Sequence, residues 1–209
     1  MSFQFLSAKR DVVLFFAIII LVTGGNFWLR RDAPKLGYEF YENFDIKFIV
    51  AQENLWEVGL DDDGVFDFTG QIAPNEDRGM VGFNVDSDEI ALTWVSYDSA
   101  PTIEEILELH FNSVRVNAER RDRGWEITQG ETEYSVKDGH QMGYQYHQLM
   151  LQLPDMDDPL YATGIVGGWY CDDTDRAYLL YLYRWGEQNA DKGLVLKEFQ
   201  DHLRVLQEH

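Results

Sequence analysis

Hydrophobic and polar positions along this chain follow three patterns. Residues 12–22 contain no polar side chain, and the apolar run resumes at Phe27, Trp28 and Leu29 after a small polar break at residues 23–26. From residue 44 onward, short stretches alternate apolar and polar residues at a period of two, which predicts half-buried strands. Such stretches occur at residues 44–50, 55–58, 65–69, 80–83 and 90–97, and again at 125–128, 131–136, 143–151, 164–171 and 177–185. Two segments instead repeat apolar residues every three or four positions, which predicts one-sided helices. The first starts at Pro101-Thr102 and puts Ile103, Ile106, Leu107, His110, Phe111, Val114 and Ala118 on one face; Thr102 and Glu105 have capping-box spacing. The second, near residues 194–207, aligns Leu196, Phe199, Leu203 and Leu206.

Short turns between the strands imply antiparallel pairing, and two one-sided helices imply a sheet covered by helices, so the expected class is α+β. The turn signals are Asp86-Ser87-Asp88, Asp138-Gly139 and residues 172–175, with a longer acidic loop at 153–159. The expected division is a head at residues 1–11, a membrane segment at 12–29, a linker at 30–43 and one α+β domain at 44–209.

The eighteen residues 12–29 would span about 27 Å as a helix, enough for a thin hydrocarbon core. Basic pairs flank them, Lys9-Arg10 before and Arg30-Arg31 after, and Trp28 occupies an interfacial position. A single-pass anchor is expected, with Val12, Leu14, Phe15, Phe16, Ile18, Ile19, Ile20, Leu21 and Trp28 as its membrane-anchoring residues. A signal peptide cleaved near residues 22–24 is the alternative. The flanking charges are balanced, and an extracytoplasmic domain is expected by analogy with an uncleaved signal sequence.

Charge changes the picture for partners. The chain holds 17 basic and 37 acidic residues; the first 35 positions hold five and two of them, which leaves 12 and 35, a net −23, on the rest. Such a surface repels nucleic acid. It suits a basic protein partner, cations or a salty environment, or simply solubility. The acidic clusters at residues 61–63, 86–89, 155–158 and 172–175 read as solvated turns, with weak, low-specificity cation binding as the alternative, and none has the twelve-residue calcium-loop pattern.

Candidate chemistry is sparse. Cys171 is the one cysteine, beside Asp172, Asp173 and Asp175, whose charge opposes thiolate formation. The histidines stand at positions 110, 140, 147, 202 and 209, with no zinc-ligand spacing. Cys171, His140 and His147 are the weak metal candidates; the plainer expectation is a buried strand cysteine, a packed His110 on the apolar helix face and an exposed His140 in a turn. No catalytic set follows from spacing, the glycines at 164, 167 and 168 do not form a phosphate loop, and no cofactor is expected. Trp56, Trp94, Trp125, Trp169 and Trp185, with the tyrosines of the last strands, are candidates to line a groove, although aromatic strand residues are more often core.

The pattern resembles the PsbP-like family, extrinsic proteins of the photosynthetic oxygen-evolving complex among its members. The similarity runs over about residues 44–206. It rests on FDIKFIV from Phe44, Leu55-Trp56-Glu57-Val58, TIEEIL from Thr102 and Gly124-Trp125-Glu126-Ile127. It continues in Lys137-Asp138-Gly139-His140 before Tyr144-Gln145-Tyr146, in RAYLLY from Arg176, and in the closing helix with Phe199. The resemblance implies an α-β-α sandwich with a central antiparallel sheet, and a non-enzymatic binding or assembly role. Membrane anchoring is foreign to the photosynthetic members, so their specific role is not carried over. The expected function is a membrane-tethered, non-enzymatic domain that docks onto or helps assemble a membrane protein complex. The alternatives are a membrane-held small-molecule or metal-ion binding protein and a hydrolase with an unrecognised site.

Overall fold

The computed structural model describes residues 36–61, 65–67, 69–120, 124–152, 158–186 and 189–207. The anchor residues at 12–29 lie outside these. Among the described residues, no helix is long and apolar enough to cross a membrane. Residues 37–209 form one compact unit.

The chain enters through a hairpin of β1 (Tyr38–Asn43) and β2 (Ile46–Ala51), paired Asn43↔Ile46. Phe44 and Asp45 both take positive φ, 56° and 59°, the geometry of a two-residue hairpin turn. The expected strand from residue 44 is therefore split: Phe44 is turn, and strand structure starts earlier, at Tyr38. A 3-10 turn (Gln52–Asn54) leads to β3 (Leu55–Val58). Then follow β4 (Arg78–Val85), β5 (Asp88–Ser96), helix α1 (Ile103–Arg120), β6 (Gly124–Gln129), β7 (Glu133–Lys137), β8 (His140–Gln152), β9 (Leu160–Cys171), β10 (Arg176–Trp185) and helix α2 (Lys192–Val205). The alternation at 65–69 makes no strand. It yields one isolated bridge, Leu60↔Phe66, because Asp67 turns the chain by accepting the N–H groups of Thr69, Gln71 and Ile72.

Eight strands form one sheet in the order β3-β4-β5-β10-β9-β8-β6, with β7 on the same flank of β8 as β6, and every pairing is antiparallel. Period-two alternation divides each central strand between two cores. Trp169, Tyr178, Leu180 and Leu182 point to one face, where α2 (Val195, Phe199, Leu203) and the β1–β2 hairpin (Tyr41, Phe48) cover them. Val166, Leu179, Tyr181 and Tyr183 point to the other, where α1 (Ile106, Leu107) covers them. The expected α+β class is observed, with one helix on each side of an antiparallel sheet.

Both helix starts are fixed by side chains. The Glu105 carboxylate accepts the Thr102 N–H at 2.7 Å, and Thr102 Oγ1 accepts the Glu105 N–H at 3.2 Å, the capping box read from the sequence. Asp191 caps α2 by accepting from Gly193 N and Leu194 N. Thr102→Ala is expected to lower stability by about 1 kcal/mol, measured as a shift of the urea unfolding midpoint with unchanged slope.

Candidate functional site

The polar chemistry of this domain gathers between α1 and the sheet. His110 lies on the buried face of α1, His147 points inward from β8, and Tyr183 points inward from β10. The Tyr183 hydroxyl joins the histidines, 3.0 Å from His110 Nε2 and 2.9 Å from His147 Nδ1. Gln145 Nε2 donates to Thr132 Oγ1, which turns Gln145 Oε1 toward His147 Nε2 at 3.3 Å. Hydrogen-bond bookkeeping then assigns the protons. A carbonyl oxygen only accepts, so His147 carries its proton on Nε2. Its Nδ1 accepts from the Tyr183 hydroxyl, whose oxygen accepts from His110 Nε2–H. His110 Nδ1 is left as a buried acceptor with no partner among the described residues.

This arrangement is electrically neutral. Burial pushes His147 down to about 4, and burial with the neighbouring His147 pushes His110 down to about 3. Desolvation, then the nearby Glu89 charge, raises the Tyr183 hydroxyl. Neither histidine meets solvent, and Tyr183 is 2% exposed, so the three act as a structural tie between helix and sheet.

Beside this tie, a cavity of about 190 Å³ opens between α1, β5, β8 and β10. Tyr181, Tyr183 and Trp185, at alternate positions of β10, line its sheet side, and Ser113, Val114 and Asn117 of α1 line the other. Glu89 of β5 reaches its edge, where Oε1 accepts the Tyr181 hydroxyl at 2.8 Å and Oε2 accepts Trp185 Nε1–H at 3.0 Å. The cluster at 86–89 is therefore not simply a solvated turn. Asp88 pairs with Arg184 at 2.7 Å, which also reaches Glu198 at 2.6 Å, while Glu89 belongs to the cavity.

The structure separates the metal candidates. Cys171 closes β9 and is fully buried on the α2 side of the sheet. His147 is on the α1 side, beside Tyr183. His140 opens β8 and is half-buried, not exposed as its turn position suggests, since the ladder pairs it with Lys137. Seven residues of strand place His140 about 23 Å from His147. Among the described residues, no three histidine, cysteine, aspartate or glutamate side chains group to hold a metal ion. Of the groove tryptophans, Trp185 lines the cavity, whereas Trp94 and Trp169 are wholly core. The tie and the role of Glu89 were not legible beforehand. The available signal was the Tyr181, Tyr183, Trp185 stripe, which alternation puts on one face.

No family model and no curated protein matches the chain. The solution structure of cyanobacterial PsbP (CyanoP) from Synechocystis sp. PCC 6803 is similar, with a TM-score of 0.51 at 8% identity, over 85% of this chain and 95% of that one. At that identity the likeness is one of fold, and the fold is PsbP-like.

Proposed function

We propose that this chain is a membrane-tethered, non-enzymatic domain that docks onto, or assists assembly of, a membrane protein complex. The observation that carries the docking reading is the flank of the sheet at β7. This strand pairs with β8 on one side, and among the described residues no strand pairs with its other side. Tyr134 and Val136, two positions apart and hence on one face, are 54% and 69% exposed. An open strand edge with exposed apolar side chains is a template for association unless a partner covers it. Glu104 and Glu133 stand beside it, bonded to Tyr134 and Tyr144, so the partner surface is expected to carry basic residues.

The PsbP-like fold supports the same reading, because the family it resembles consists mainly of binding and assembly factors. Burial supports the non-enzymatic part. Cys171 is fully buried, and His110 and His147 meet no solvent. The tether is proposed from residues 12–29, with the domain on the extracytoplasmic side.

A photo-crosslinking residue at position 136 tests the docking surface in intact membranes. One discrete adduct with a single protein is expected from position 136 and none from position 194, an exposed site on α2. Equal, diffuse labelling from both positions contradicts the proposal. For the tether, the protein is expected to stay with the membrane through alkaline carbonate washing, with residues 12–29 retained in the N-terminal sequence. Loss of the segment through about residue 24 would identify a cleaved signal instead.

A further inference from the structure

We propose that the cavity beneath α1 binds a small organic ammonium group. Among the described residues its lining combines one carboxylate, Glu89, with an aromatic wall and the polar side chains Ser113 and Asn117. Tyr181, Tyr183 and Trp185 form a continuous wall, with successive ring centroids 5.5 and 6.4 Å apart. Aromatic faces carry partial negative charge and attract cations, most strongly where water is excluded. Glu89 adds a full negative charge at the edge of this wall. Its two hydrogen bonds come from neutral donors, the Tyr181 hydroxyl and the Trp185 indole, which fix its orientation without cancelling its charge.

Among the described residues no cation pairs with Glu89. The nearest arginine in sequence to the wall, Arg184, points to the opposite face of β10 and is committed to Asp88 and Glu198. The uncompensated charge also registers in its surroundings, since Glu89 contributes to raising both the Tyr181 and Tyr183 hydroxyls, second to burial. Across the cavity, the Asn117 amide nitrogen donates to the Ser113 carbonyl oxygen at 2.9 Å, which leaves Asn117 Oδ1 as a further acceptor. A half-buried carboxylate without a counter-charge is costly, and a bound cation relieves that cost.

Charge and size narrow the ligand. Among the described residues, an anion would face Glu89 with no cationic side chain in the cavity lining to hold it. A hard metal ion requires six or more oxygen ligands, whereas among the described residues Glu89 is the one carboxylate lining the cavity. About 190 Å³ is below the range of roughly 300–1,000 Å³ typical of drug-sized ligands, so the guest is a group of a few heavy atoms, of the size of choline. This inference goes beyond the docking role and does not depend on it, because binding needs no protein partner.

The test is calorimetric titration of the full-length protein, in a nonionic detergent, with choline and with its neutral isostere in which carbon replaces the ammonium nitrogen. Choline is expected to bind at one site, and the isostere about ten-fold more weakly or not at all. Glu89→Gln is expected to weaken choline binding about ten-fold and leave the isostere unaffected. Val114→Phe, which fills the cavity from α1, is expected to abolish both. Absence of choline binding by the unmodified protein, equal binding of choline and isostere, or choline binding unaffected by both substitutions would overturn the proposal. The comparison of the two ligands on the unmodified protein decides the matter even if a substitution costs the fold, which circular dichroism registers.

Discussion

Acidification from neutral pH is expected to destabilise this domain by several kcal/mol before most of its carboxylates are protonated. The cause is the His110–Tyr183–His147 tie. Both histidines are neutral in the fold, with burial holding them at about 3 and about 4 against an ordinary value of 6.5. In the unfolded chain they protonate near 6.5. The unfolded state therefore binds more protons as pH falls, and the sign is fixed: stability is full above about pH 6.5 and declines below it. The decline continues toward pH 4 for His147 and pH 3 for His110. Each histidine contributes a slope of about 1.4 kcal/mol per pH unit within its window. Total domain stability is commonly about 5–15 kcal/mol, so most of it is at risk by about pH 4. Urea unfolding from neutral pH downward measures this directly. His147→Gln removes one of the two titrations and is expected to halve the slope, at some loss of stability at neutral pH. A pH profile flat to the carboxylate range would refute the neutral, buried assignment.

The second large effect is expected at the glycines of β9. Gly167 and Gly168 face opposite sides of the sheet, and a helix side chain packs directly over each. A Cβ at Gly168 would stand 2.6 Å from Cγ2 and 3.4 Å from Cβ of Ile106 on α1. A Cβ at Gly167 would stand 2.6 Å from the ring of Phe199 on α2. Ile106 and Phe199 are both fully buried, so neither can swing aside. Gly168→Val is expected to cost about 3 kcal/mol, the upper end for overpacking, because α1 must shift off the sheet. Combining the smaller Gly168→Ala with Ile106→Val is expected to recover part of the loss of Gly168→Ala alone, a positive coupling in a double-mutant cycle. Simple additivity would mean that the glycine matters for another reason.

These two sites also mark what was legible in the sequence. Periodicity located nearly every strand and both helices, because a strand buried on one or both faces must alternate and a helix on a sheet must be one-sided. The capping box at Thr102 and the tight turn at Asp138-Gly139, where φ is 48° and 96°, were legible because their chemistry is local. The Phe44-Asp45 turn is hidden in the sequence because Phe44, Ile46 and Phe48 keep a strand-like alternation through the hairpin. The segment at 65–69 shows the converse: alternation persists where the Asp67 carboxylate has diverted the backbone from pairing.

Long-range relations were not legible. Alternation places Tyr183 and His147 on inward faces, but not that β8 and β10 flank β9 in the order that brings both under α1. Glu89 looked like part of an acidic turn because its neighbours Asp86 and Asp88 are at one; its orientation is set by Tyr181 and Trp185, almost a hundred residues on. The glycines of β9 read as a failed phosphate loop, since their role exists only once two helices are in place.

The docking proposal is tested most directly by isolating the full-length protein from its native membranes in mild detergent, alongside a Val136→Lys form. The unmodified protein is expected to migrate in a complex larger than itself, with one stoichiometric protein partner. The Val136→Lys form, which sets a positive charge against the basic partner surface from an exposed edge and leaves the core intact, is expected to migrate alone. A protein that runs alone under gentle conditions, or a complex indifferent to the charge at position 136, would contradict docking through β7.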